Sequence, residues 1–273
     1  MKNMIAEETY LFLKSQTENQ FQTLTIADVR IGVHLTAVRL SDGSFGIAST
    51  LEDDQRTCPK SKRDFEDFSP SKIRGRKISG LFEIPKQTSI IKTLRGATLC
   101  AISSALMVEN RYTVLDDKDP FDLIDLRKKK TITMVGAFQS YIRKITETGN
   151  RLFVLEFDES ALSAEHKKLF VPARDYQSVI PHSDIVIITG LTLVNDTIDE
   201  LLNAIPPGVF TIVTGPSCSQ LPDILFRHGV DAIGATKITD GDLLFTLAAE
   251  GGAGYHLFKY CARKICIVND CKW

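Results

Sequence analysis

The sequence lacks an uninterrupted apolar run of the ~20 residues that a membrane-spanning helix needs. Its opening, Met1-Lys2-Asn3-Met4-Ile5-Ala6-Glu7-Glu8, has acids where a signal peptide carries its apolar stretch. A cytoplasmic location is therefore expected, with no membrane partner. An excess of charge of either sign is missing too: Lys and Arg total 33 against 34 Asp and Glu, a formal net charge of −1. That removes the broad electrostatic footprint of a dedicated nucleic-acid binder, so any anionic partner has to be held locally. Cysteine is scarce for a disulfide scaffold, six in 273 residues, and all six are read as reduced thiols. A dinucleotide fingerprint needs three glycines in one strand-to-helix turn, and none occurs, which disfavours NAD.

What is present fits a soluble globular protein: 43% hydrophobic and 25% charged residues in a chain long enough for two domains. Met4, Ile5, Leu11 and Phe12 share a helical stripe, so the chain opens on an amphipathic helix. From Thr25 to Leu40 the period becomes two, which predicts one half-buried strand, turned at Ser41-Asp42-Gly43-Ser44 into a returning strand from Phe45 to Thr50. The charged, Pro-containing stretch from Glu52 to Lys77 reads as an exposed excursion. Ile91, Leu94, Thr98, Ala101, Ile102, Ala105 and Val108 predict a long helix packed on the hairpin. Residues 110–130 are polar and charged, ending in Arg127-Lys128-Lys129-Lys130, a solvated linker run. The expected domains are 1–115 and 116–273.

The second half alternates short apolar runs at 131–135, 152–157, 185–189, 210–214 and 231–235 with helical segments at 140–148, 196–204 and 221–228. Unalternating apolar runs suit strands buried on both faces, so the fold class is α/β with a mostly parallel, doubly wound sheet. The segment 254–268 reads equally as a strand pair or an irregular wrap. In such sheets ligands collect where strands end and helices begin. Those loops offer Gly136 in a tight turn, Asp158 at a strand end, Thr192 and Asn195 in a hydroxyl-rich loop, and Gly215 and Ser217 in a Gly-Pro-Ser helix entrance suited to an anion. Asp240 follows the fifth strand. Asp158 and Asp240 are hard oxygen ligands from two loops of one sheet, a candidate seat for a divalent cation. Thr36 from the first half completes the set. Each has an ordinary alternative as a cap, a turn or a solvated side chain. Cys261, Cys266 and Cys271 recur every five residues, wider than zinc-ligand pairs, and alternation sets Cys266 on the opposite strand face. His34 shares a polar strand face with Thr36 and reads as solvent-facing.

The segment Ala37-Val38-Arg39-Leu40-Ser41-Asp42-Gly43-Ser44-Phe45-Gly46-Ile47-Ala48 resembles the hairpin of enolase N-terminal-like domains. Thr189 to Thr197, Gly215-Pro216-Ser217, Leu221-Pro222, Leu225-Phe226, His228-Gly229 and Asp240 resemble a bacterial and archaeal family of unknown function described as "putative heavy-metal chelation". The resemblance covers nearly the whole chain. It implies a smaller α+β enolase N-terminal-like domain followed by a Rossmann-like domain, with a site in the cleft between them. Thr98 and Ser103 depart from the family's usual glycine and asparagine. The main expectation is a cleft that binds a small anionic molecule or a metal chelate. The alternative is an enzyme acting on a nucleotide-like or pterin-like small molecule there, although no base or nucleophile with a convincing partner stands out.

Overall fold

A computed structural model describes residues 4–17, 19–52, 66–107 and 111–270. The first part is a three-stranded antiparallel sheet, β1 (Ile26–Ile31), β2 (Leu35–Leu40) and β3 (Phe45–Ser49), in that order. It is preceded by α1 (Met4–Thr17) and α2 (Asn19–Thr23) and followed by α3 (Ile78–Glu83) and α4 (Ser89–Leu106). The strand expected from Thr25 to Leu40 is in fact two. The chain reverses at Gly32-Val33-His34, closed by the Gly32 amide donating to the Leu35 carbonyl. A β-carbon at Gly32 would lie 1.9 Å from the Ala248 carbonyl oxygen, so the turn is also a contact point for a later helix. A register shift between Ile26 and Asp28 breaks the alternation, turning Ala27 outward and Asp28 inward.

The long helix is present as α4, with Thr88 capping it by accepting from the Ile91 amide. It lies across β2 and β3, and its buried side chains Ile91, Leu94, Ala97 and Ala101 share a core with Val38, Leu40 and Ala48. The first helix buries Ile5, Thr9, Leu13 and Thr17, leaving Met4 and Leu11 exposed, so its inner face is rotated from the expected stripe. The excursion's residues 53–65 lie outside the described ones. Its remainder is not exposed throughout: Phe68 and Ile73 are buried, and Arg76 and Ile26 are joined backbone to backbone.

The second sheet has eight strands: β4 (Thr113–Asp116), β5 (Thr131–Val135), β6 (Arg151–Glu156), β7 (Phe170–Pro172), β8 (Ile185–Thr189), β9 (Phe210–Thr214), β10 (Ala232–Ile238) and β11 (Ala262–Val268). Their spatial order is β4-β11-β10-β9-β8-β5-β6-β7, with β10 through β7 parallel and β11 and β4 antiparallel at one edge. This is the expected mostly parallel α/β sheet. The short β4 is an addition within the stretch read as linker. Its connecting helices are α5 (Gln139–Thr146), α6 (Ile198–Asn203), α7 (Asp223–Arg227), α8 (Gly241–Ala249) and α9 (Gly254–Tyr260). The ambiguous segment 254–268 resolves into α9 and β11.

The two sheets exchange cover. Helix α8 packs on β1 and β2, and Leu244, Ala248 and Leu257 form a core with Leu35, Ala37 and Ile47. In return α1 lies against the large sheet's helices: Ile5 joins that core, its amide donates to Asp199 Oδ1 at 3.1 Å, and Glu8 meets His228 at 3.0 Å. Among the described residues, no helix is long and apolar enough to cross a membrane.

Candidate functional site

The loops singled out in sequence mostly close on one another. In the sheet the strand order reverses between β5 and β8, the position of the usual ligand crevice. Gly136, at φ +94°, brings the loop after β5 so near Thr189 that an added β-carbon would lie 3.0 Å from Thr189 Cβ. The amides of Ala137 and Phe157 donate to Glu156 at 2.9 and 3.0 Å, so this carboxylate is occupied by its own loops. Thr192 is buried and donates to the Thr189 carbonyl, while Asn195 accepts from the amide and hydroxyl of Thr197. Gly215, at φ +130°, sits against Gly190, and a β-carbon at Gly190 would lie 2.3 Å from Cys218 Sγ. Ser217 is buried, and its Oγ accepts from the Ser49 amide of β3 at 2.9 Å. The Gly-Pro-Ser entrance is thus a docking point for the small sheet rather than an open anion seat. Thr36 is buried and bonded to Thr50.

Asp158 and Asp240 are not brought together. Strands β6 and β10 stand four positions apart, about 19 Å at the usual strand spacing. Each acid caps its own loop, Asp158 accepting from Ser160 and Asp240 from Leu243. The amide and side chain of Ser160 hold Asp158 below the ordinary carboxyl range. Cys261 ends α9 and Cys266 lies in β11, in separate cores; burial pushes both thiols up to about 11. Cys271 lies outside the described residues. No group of three or more His, Cys, Asp or Glu side chains suited to a metal ion occurs among the described residues.

The large cleft is elsewhere, about 810 Å³ at the seam of the two sheets. Three features of the fold open it. Strand β10 outruns β9, pairing with it only from Ala232 to Gly234 and continuing to Ile238. Strands β11 and β4 extend that edge of the sheet, and Val114 and Asp116 stand on the face shared with Ile265. Opposite them lie the β2–β3 turn and the end of α4, with Asp42, Phe45, Ser104 and Met107.

The floor is formed where three side chains cover the outer edge of β3 in place of a fourth strand. Ser104 Oγ donates to the Phe45 carbonyl, Cys100 Sγ receives the Ile47 amide, and Ser217 Oγ takes the Ser49 amide. Cys100 also touches the Ser217 carbonyl at 3.6 Å and receives the Ser219 backbone amide and the Gln220 side-chain amide. Burial nevertheless dominates and pushes its thiol up to about 12. Across the floor Thr236 is buried, its amide donates to Ser219 Oγ, and its own hydroxyl oxygen has no partner among the described residues.

Three fixed charges line the cleft, Asp42, Asp116 and Lys237, and none is ion-paired with another described residue. Two acids against one base do not make the anion-selective surface expected. Lys237 lies near the end of β10, shortly before Asp240; Asp42 and Asp116 read in the sequence only as turn and linker. Only the tertiary pairing of β4 with β11 turns Asp116 into a cleft residue.

Two family models, both described as "Putative heavy-metal chelation", match residues 14–103 and 119–267. A protein of unknown function from Pyrococcus horikoshii superposes with a TM-score of 0.77 at 19% identity, covering 97% of this chain and all of that one. Another, from Desulfitobacterium hafniense, gives 0.71 at 16% identity, with 96% and 100% coverage. These identities carry the fold alone. An uncharacterized protein of Methanocaldococcus jannaschii is 35% identical over 88 residues, 32% of this chain and 33% of its own length.

Proposed function

Because the chain belongs to the family described as "Putative heavy-metal chelation", we propose that it is a binding protein whose seam cleft takes a small molecule of mixed charge, a metal chelate. The carrying observation is that both matched regions contribute to one cleft of about 810 Å³, with residues 42–47 and Cys100 from the first and residues 235–239 and Gly241 from the second. Asp42, Asp116 and Lys237, none of them ion-paired with another described residue, favour a ligand bearing both signs of charge over a simple anion. Phe45, Met107, Val114 and Ile265 supply the apolar surface that small-molecule sites use for affinity. The Thr236 hydroxyl, buried at the cleft wall and without a partner among the described residues, is a hydrogen-bonding group whose cost a ligand would offset. The described side chains do not themselves assemble a coordination set, so the metal is cargo that brings its own ligands.

The test is native mass spectrometry with metal analysis of gently purified protein, beside an Ala105→Trp variant. Ala105 is exposed at the cleft wall, so the indole fills the space without entering the core. Wild type is expected to carry a small molecule and metal together, both absent from the variant. Metal retained equally by both proteins would refute the assignment.

A further inference from the structure

A second hollow, of about 400 Å³, lies between β1, β2 and α8, away from the strand-to-helix loops after β5, β6, β8 and β9. It is lined by Asp28, Arg30, Arg39, Asp242, Phe245 and Glu250, with Thr246 beside them. Three guanidinium groups from three parts of the chain converge on Asp28, whose side chain is only 12% exposed. Arg30 reaches Oδ1 at 2.7 Å, Arg74 pairs with the same oxygen, and the Val29 amide adds a third donor at 2.9 Å. Arg39 is held differently. Its contacts are 3.7 Å to Asp28 Oδ2 and 3.4 Å to Asp242 Oδ1, well beyond the ~2.8 Å of a good charge-assisted hydrogen bond.

What fixes Arg39 is aromatic. Its guanidinium lies 5.8 Å from the Phe45 ring and 5.6 Å from the Phe245 ring, and Arg30 also lies 5.6 Å from Phe245. Two guanidinium groups are thereby preset on one ring at the wall of a hollow, and Arg39 keeps its fork of donors almost unspent. The opposing acids are unequal. Asp28 is already engaged by Arg30, Arg74 and Val29, whereas Asp242 is 92% exposed, so water screens it and it is free to swing away. Glu250, at the rim, is the remaining acid.

We propose that this hollow binds an oxyanion of the phosphate type, gripped by Arg39 and Arg30 and displacing Asp242 from Arg39. The hollow shares no lining residue with the cleft; Phe45 lines the cleft and Phe245 this hollow, and the two rings meet edge to face at 6.0 Å.

Calorimetric titration of the full chain with inorganic phosphate, at low and constant ionic strength, tests it. Saturable one-to-one binding is expected. Arg39→Ala should weaken it about tenfold or more, the loss of one charged hydrogen-bonding partner. Asp242→Asn alters only an exposed side chain and should tighten binding about two- to fivefold by removing the competitor. The cleft-filling Ala105→Trp variant should bind phosphate as wild type does, which separates this site from the cleft. A phosphomonoester that binds more tightly than inorganic phosphate would identify the ligand as a phosphorylated small molecule, and equal binding would identify free phosphate. Absence of saturable binding, equal affinity in wild type and Arg39→Ala, or no gain in Asp242→Asn would overturn the proposal.

Discussion

At Gly46 the backbones of β3 and α4 are in close contact, and the need for glycine there is steric. A β-carbon there would lie 2.0 Å from the Ala97 carbonyl oxygen and 2.2 Å from the Ala101 amide nitrogen, both backbone atoms that cannot rotate aside. Gly46→Ala is expected to cost about 3 kcal/mol, the upper end for overpacking, read as a lower urea midpoint with unchanged slope. The buried thiols set a second residue-scale expectation. Burial raises Cys100 to about 12 and Cys261 and Cys266 to about 11, above the ~8.5 of an unfolded thiol. Their contribution to stability is complete below about pH 8.5 and is lost as pH rises through the folded values. Denaturation midpoints should therefore fall from about pH 9 to 11, less steeply in Cys100→Ala once its lower starting stability is subtracted. In sequence these cysteines are recognisable as reduced thiols, but that Cys100 faces the cleft depends on contacts with Ile47 and Ser219, far along the chain from it.

Between elements, hydroxyl groups from one unit complete the other. Ser217→Ala removes the acceptor of the Ser49 amide and should destabilise by about 1–2 kcal/mol, the cost of an orphaned, partly buried donor. The same variant should leave the large sheet's own strand pairing intact, which amide hydrogen exchange at β8 and β9 would report. A second inter-element tie joins the segment before β5 to β11. Burial by itself would raise the Asp119 carboxyl, but the Lys264 ammonium, the Tyr141 hydroxyl and the Phe121 amide outweigh it and hold the group below the ordinary carboxyl value. The stability from this tie is present above the unfolded value of about 3.9 and is lost as pH falls through the lower folded value. Lys264→Met should therefore flatten the acid limb of a stability–pH curve below about pH 4. An unchanged limb would show that Asp119 is held without Lys264.

At the scale of the molecule the two sheets are not free neighbours. Helix α8 covers the small sheet, α1 covers helices of the large one, and Val194 and Leu221 enter the core under α4. One cooperative unfolding transition is expected by calorimetry, with equal calorimetric and van't Hoff enthalpies; two separated transitions would contradict this exchange of cover. The sequence by itself determined the α/β class, the positions of β5, β8 and β9 and the existence of α4. Continuous apolar runs and a 3.6-residue stripe are local consequences of burial on two faces or on one. It also marked Gly136 and Gly215, because positive φ is a local demand that glycine meets cheaply. It did not determine which loops face solvent and which face each other. Ser217 reads as an open helix entrance until β3 arrives to donate Ser49, Asp158 and Asp240 read as neighbours until the strand order sets four spacings between them, and Asp116 reads as linker until β4 pairs with β11. Those are long-range pairings, decided by how two sheets share cores across more than a hundred residues of chain, and no local pattern encodes them.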